Sequence, residues 1–179
     1  MFEINYTTTE EKKMEYNDLL LTETYKDGKL QGVWEKYYLN NELWMEGTYQ
    51  DGKKEGVWEM YHLNGQLLLT ETYKDGKEDG VWEKYYLDGE LWEEGTYQDG
   101  KRDGVWKIYY DDCQLLLTET YKGGKEEGVV EGYYNNGQLE FKGTYKNGKR
   151  DGVWEYYNEN GLLSSKTTYK DGVSEELSA

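Results

Sequence analysis

The chain has 179 residues, of which 36% are hydrophobic and 16% aromatic, with 22 glycines, no proline and one cysteine. So little aliphatic content excludes a thick globular core, so many aromatic residues exclude a disordered chain, and a lone cysteine excludes an internal disulfide. The formal charge of −16 disfavours nucleic acid and the anionic membrane surface and favours a basic protein as partner.

In chain order, residues 1–18 keep little of the pattern that fills the rest of the chain and read as an N-terminal cap with a partial repeat. They offer no basic start and no apolar stretch of signal-peptide length, and no later run is long enough to span a membrane, so the expected location is cytoplasmic. Residues 19–172 form a repeat array. The motif T-Y-x-x-G places Tyr25, Tyr49, Tyr73, Tyr97, Tyr121, Tyr145 and Tyr169 at intervals of 24 residues. Tryptophan follows nine residues later at Trp34, Trp58, Trp82, Trp106 and Trp154, with Val130 as the exception. A longer period of 48 lies on top: LLLTETYKDG opens at Leu19 and Leu67, alternating with LWMEGTYQDG at Leu43 and LWEEGTYQDG at Leu91. Duplication of a two-hairpin block accounts for that alternation. Residues 173–179, VSEELSA, read as a tail with no new strand.

Each unit reads as two strands. The first, such as GVWEKYYL, is rich in β-branched and aromatic residues. It ends at pairs such as Asn40-Asn41, Asn64-Gly65 and Asp88-Gly89, which suit a two-residue type I′ turn. The second strand runs to the tyrosine and meets another turn signal, such as Asp27-Gly28. The predicted fold is all-β: an elongated, single-layer antiparallel meander of β-hairpins.

A turn at Asn40-Asn41 sets the register. It places Trp34 opposite Gly47, Glu35 opposite Glu46, Tyr37 opposite Trp44 and Tyr38 opposite Leu43. One face then carries Trp34, Tyr38, Leu43 and Tyr49; the other carries Val33, Glu35, Tyr37, Trp44, Glu46 and Thr48. Gly47, Gly95 and Gly143 leave room for a large side chain across the strand. Val130 offers less apolar area than tryptophan, and Gly132 follows in the same strand, so this hairpin is expected to be the softest.

These residues resemble the MORN-repeat proteins, in particular a bacterial variant with the pattern Y-x-x-G-K-x-x-G-x-W-x-x-Y-x-x-x-G-x-L. Tyr73, Gly76, Lys77, Gly80, Trp82, Tyr85, Gly89 and Leu91 match it in order, and the resemblance spans about residues 19–172. Val130, Cys113 and Asn41 depart from it. The resemblance implies a single-layer sheet and a binding or scaffold role; bacterial members of this variant are often classed as YwqK-type antitoxins. A weaker resemblance links Gly-Val-Trp-x-x-Tyr-Tyr to choline- and glucan-binding repeats, and implies a carbohydrate or quaternary-amine ligand.

Catalytic machinery is not evident, and no enzyme, metal or cofactor is expected. His62 stands in a tyrosine column, Cys113 replaces a turn glycine, and one aspartate per turn does not make a calcium loop. The partner-binding candidates are Glu35, Tyr37, Trp44 and Glu46, with Glu83, Tyr85, Trp92 and Glu94 one double repeat later. Like charges opposed in a sheet cost roughly 0.2–1 kcal/mol per pair, and acids beside aromatic rings suit a Lys or Arg side chain. The partner expected is therefore a basic protein, neither nucleic acid nor membrane, with oligomeric state left open.

Overall fold

A computed structural model describes residues 9–16 and 19–175. Fifteen strands follow one another in chain order in a single antiparallel sheet, without a crossover. They are β1 (Thr9–Tyr16), β2 (Leu19–Lys26), β3 (Lys29–Tyr38), β4 (Leu43–Gln50), β5 (Lys53–Tyr61), β6 (Leu67–Lys74), β7 (Lys77–Tyr85) and β8 (Leu91–Gln98). After these come β9 (Lys101–Tyr109), β10 (Leu115–Lys122), β11 (Lys125–Tyr133), β12 (Leu139–Lys146), β13 (Lys149–Tyr157), β14 (Leu163–Lys170) and β15 (Val173–Glu175). The described residues contain no helix. The chain divides into two compact units: unit 1 runs to Gly80 and includes Leu87–Gly89, and unit 2 holds Val81–Tyr86 and everything from Glu90.

Within the N-terminal segment, β1 pairs with all of β2, from Thr9↔Lys26 to Tyr16↔Leu19. The C-terminal tail departs from the sequence reading. The tail was expected to add no strand, yet Val173–Glu175 forms β15 against Thr168–Lys170. The Asp171-Gly172 turn returns the chain into register, and the three residues find backbone partners that the sequence does not advertise.

The two sets of turns differ in kind. Asp27-Gly28 is a two-residue loop: Lys26 pairs with Lys29, and both turn residues have positive φ, 50° and 77°, as type I′ requires. At Asn40-Asn41 the type I′ expectation fails. Tyr38 N donates to Glu42 O at 2.8 Å and Asn41 N to Tyr38 O at 2.9 Å, and only Asn41 has positive φ, 65°. The loop is therefore three residues long, a turn followed by one left-handed residue. The same bonds recur at His62–Gln66, Tyr110–Gln114 and Tyr134–Gln138. The longer loop makes Tyr37 pair with Leu43 and Lys36 with Met45, leaving Trp44 as an extra, bulged residue.

A second irregularity builds the core. Thr48 pairs with Glu55 but Glu46 with Glu59, so Gly47 alone faces Gly56, Val57 and Trp58. Gly56 takes φ 73°, a conformation that a side chain resists. The step carries the Trp58 indole over Gly47, where any Cβ would fall inside the ring. Trp34 does pair with Gly47, but the ring that needs the glycine belongs to the following strand. In unit 2, Trp106 lies over Gly95 and Trp154 over Gly143 in the same way.

A single sheet has no second layer to cover its aromatic face, so the covering comes from within the layer. Trp58 is 1% exposed. Tyr49 and Tyr73 meet it edge-on at 5.0 and 6.2 Å, Trp34 lies at 5.3 Å, and Lys54 Nζ sits 4.2 Å above the ring. Trp106 has Tyr97, Tyr121 and Trp82 in those places, with the Arg102 guanidinium at 3.8 Å. Trp154 has Tyr145, Tyr169 and Arg150, the last at 4.1 Å. Burying an indole this fully stabilises the fold by at most about 4–6 kcal/mol.

At the odd position, Val130 is 2% exposed. Phe141 stacks on Trp154 at 6.0 Å and lies over Gly132, where a Cβ would enter its ring. Gly132 thus seats a phenyl ring that replaces part of the apolar area lost with tryptophan, which the sequence reading of a soft hairpin did not include.

Candidate functional site

The face opposite the tryptophans is built from three rows running across the strands. The first alternates valine and threonine: Val33 pairs with Thr48 and Val57 with Thr72 in unit 1, and Val129 pairs with Thr144 in unit 2. These valines are about half exposed. The second row is charged. The third is tyrosine, two residues further along β3, β5, β7, β9, β11 and β13; the phenols of Tyr37, Tyr61, Tyr85, Tyr133 and Tyr157 reach back to the acid beside them, and that of Tyr109 reaches Glu94 on the neighbouring strand.

In unit 1 the charged row is acidic over three consecutive strands, β3 to β5. Glu35 pairs with Glu46 and Glu46 with Glu59; Thr22 and Thr70 flank them. None of the three acids has an ion-pair partner among the described residues. Tyrosines hold them: Tyr37 Oη donates to Glu35 Oε2 at 2.7 Å, and Tyr61 Oη lies 2.7 Å from Glu59 Oε2 and 2.9 Å from Glu46 Oε1. The bond to Glu35, ahead of burial, pushes the Tyr37 phenol up to about 12. Burial and the two acids push Tyr61 up as well.

In unit 2 the same row alternates in sign from Glu94 onward. Glu94 pairs with Lys107, Lys107 with Thr118, Thr118 with Glu131, Glu131 with Lys142, Lys142 with Glu155 and Glu155 with Lys166. Glu94 Oε1 accepts from Tyr109 at 2.6 Å and Lys107 at 2.9 Å, which hold its carboxyl below the usual range. Glu155, with Lys166 and Lys142 each at 3.0 Å, is held down to about 2 by Lys166, then Lys142 and Tyr157. A carboxylate depressed in this way contributes stability that is full above the ordinary value of 4.5 and lost as pH falls through 2. A carboxyl NMR titration should put Glu155 near 2; a midpoint at 4.5 would show the lysines to be dissociated in solution.

Six of the eight predicted residues lie on this face: Glu35, Tyr37 and Glu46 in unit 1, and Glu83, Tyr85 and Glu94 in unit 2. Tyr85 Oη donates to Glu83 at 2.7 Å. Trp44 and Trp92 are corrections. The bulge turns Trp44 to the other face, beside Lys36 at 4.6 Å and Tyr38 at 6.3 Å. Trp92 stacks on Tyr86 at 5.7 Å under Lys84 at 4.2 Å. Glu94 is also changed in kind, because Lys107 neutralises it. Glu59 and Tyr61 were missed. Counting from the Asp51-Gly52 turn places Val57 opposite Glu46, and the step at Gly56 brings Glu59 there instead. The repeat column Glu-x-Tyr, shared by Glu35 and Glu59, was the available signal.

His62 Nε2 is buried without a hydrogen-bond partner, and the Cys113 thiol donates to Glu90 Oε2 at 2.8 Å on the exposed surface. Among the described residues, no group of three His, Cys, Asp or Glu side chains is placed to hold a metal ion.

The chain belongs to the MORN repeat variant family, which matches residues 30–51, 54–75, 78–99, 126–147 and 150–171. This is a family of binding and scaffold repeats that is generally non-enzymatic. No curated protein matches the chain. Among solved structures, it is similar to a TarM mutant of S. aureus in complex with fondaparinux, alpha-GlcNAc-glycerol and UDP, at 14% identity and TM-score 0.36. It is similar to a second TarM structure at 14% identity and TM-score 0.35. Each similarity covers 54% of this chain and 19% of the other, so this chain spans about a fifth of their length.

Proposed function

We propose that this chain is a cytoplasmic, non-enzymatic scaffold that binds a basic protein through the acidic row of unit 1, in the manner of an antitoxin or immunity partner. The observation that carries this reading is the contrast between the two units. Glu35, Glu46 and Glu59 stand in three consecutive strands at ~4.8 Å steps with no lysine between them, whereas the same row in unit 2 alternates acid and base from Glu94 onward. Opposed like charges are unfavourable within the sheet, and a bound Lys or Arg side chain relieves them.

The test is to titrate a labelled Lys/Arg-rich peptide into the full chain and into Glu46→Lys. The substitution gives unit 1 the alternation of unit 2. Stability should hold or rise by about 0.5–1 kcal/mol, while peptide affinity falls about tenfold. Unchanged affinity would show the row to be a solvated surface. The alternative reading, a quaternary-amine or sugar module, meets an obstacle at its natural site: the Trp58–Tyr73 pair already holds Lys54 Nζ, at 4.2 and 4.4 Å from the two rings.

A further inference from the structure

The two-residue turns present a second charged surface, and its charge does not simply repeat. Asp27, Asp51, Asp75, Asp99 and Asp171 take the first turn position with φ between 50° and 52°. Two successive turns of unit 2 differ: Gly123-Gly124, between β10 and β11, and Asn147-Gly148, between β12 and β13. Gly123 has φ 58° and Asn147 φ 51°. All three residue types hold the same left-handed conformation, so the backbone gives no reason for the missing aspartates. What changes is charge.

In unit 1 the aspartate has a partner from the preceding turn: Lys53 Nζ lies 3.2 Å from Asp75 Oδ1, and the Lys53 stem lies against Gly76. Lys101 lies against Gly124 in the same way, but Gly123 offers it no carboxylate. Asn147 likewise brings no carboxylate of its own to the second turn, where Glu126 Oε2 lies beside Gly148. Each turn also opposes two lysines, Lys122 with Lys125 and Lys146 with Lys149. All four are exposed, and neither Lys101 nor any of these four has an ion-pair partner among the described residues. Two of the acids beside these turns are engaged by turn backbone: Asp103 Oδ1 accepts from the Gly123 N–H at 3.1 Å and Glu127 Oε2 from the Asn147 N–H at 2.7 Å; Glu126 is half-buried. Two adjacent turns, ~9.6 Å apart, thus form a lysine cluster in a chain of net charge −16.

We propose that this cluster, Lys101, Lys122, Lys125, Lys146 and Lys149, docks a short acidic segment of a partner protein. Lysine is a point charge that suits single carboxylates, whereas phosphate recognition favours the arginine fork. The two arginines next to these turns are not presented: Arg102 stacks on Trp106 and Arg150 on Trp154. A nucleic acid or an anionic membrane would also run on past the cluster onto acidic surface; a short acidic segment ends within it. With the basic-partner row of unit 1, the chain would carry two surfaces of opposite sign, each tested by its own probe.

The experiment uses the full chain and a labelled Glu-rich peptide, with a single-stranded oligonucleotide of equal charge and phosphatidylserine vesicles as comparators. The main variant restores the residue of the other turns, Gly123→Asp with Asn147→Asp; since aspartate holds this conformation five times in the chain, the fold should be unaffected. Wild type should bind the peptide with an affinity that falls as salt rises, and the variant should bind about tenfold more weakly. Lys122→Gln with Lys125→Gln should reproduce the loss. Absence of binding by wild type, variants that bind as tightly as wild type, or tighter binding of the oligonucleotide or the vesicles would overturn the proposal.

Discussion

Replacing Gly95 by alanine will destabilise the protein by about 3 kcal/mol, at the upper end of what overpacking a core costs. The added Cβ falls within the Trp106 indole. That ring is 1% exposed, with Tyr97 and Tyr121 edge-on at 5.2 and 6.3 Å and Arg102 above at 3.8 Å. It therefore cannot swing aside without opening contacts on several strands. Trp106→Ala should cost about 3–5 kcal/mol, the range for removing a large aromatic side chain from a core. The two changes should not add. Without the indole, the alanine methyl has space, so the double variant should be more stable than the sum of the single losses implies by about 1–3 kcal/mol. Urea denaturation of the four proteins measures the cycle. A midpoint unmoved by Gly95→Ala would mean that the indole does not need the glycine.

The second large effect is alkaline unfolding. Tyr37, Tyr121 and Tyr133 are each pushed up to about 12, Tyr37 chiefly by its bond to Glu35 and the other two chiefly by burial. Tyr61 and Tyr73 are raised by burial and by their acids. The ordinary phenol value is 10.0, so the folded chain keeps protons that the unfolded chain releases. The stability held by these Tyr–Glu pairs is full below pH 10 and is lost as pH rises through 12. Stability should vary little up to about pH 9.5 and then collapse, with tyrosinate absorbance and loss of β-sheet circular dichroism appearing together. Tyrosines that titrate near pH 10 while the sheet persists would show that the pairs do not form in solution.

The repeat explains how much of the fold is legible in the amino-acid sequence. A period of 24 residues and a side-chain period of two are local properties, written in which residues succeed which. They suffice for the strands of the repeat array, the chain-order meander, the Trp34–Gly47 and Glu35–Glu46 pairs, and a face on which Glu35, Tyr37 and Glu46 lie together. They fail where pairing departs from simple alternation. One extra residue inverts every assignment beyond it, which is why Trp44 and Trp92 were placed on the wrong face. The step at Gly56 shifts the partner of Glu46 from Val57 to Glu59 and lays Trp58, where Trp34 had been expected, over Gly47. Neither departure follows from hydropathy, because each is set by hydrogen bonds that close only when two strands meet. The 48-residue period is the clearest division between the two kinds of information. In the sequence it is an alternation that duplication explains. In the folded chain, one member of each pair contributes the glycine floor, Gly47, Gly95 or Gly143, and the strand after it supplies the tryptophan and its Lys54, Arg102 or Arg150 cover. This sheet buries its three covered tryptophans in that way, by contacts that join neighbouring strands through a register step the sequence alone does not show.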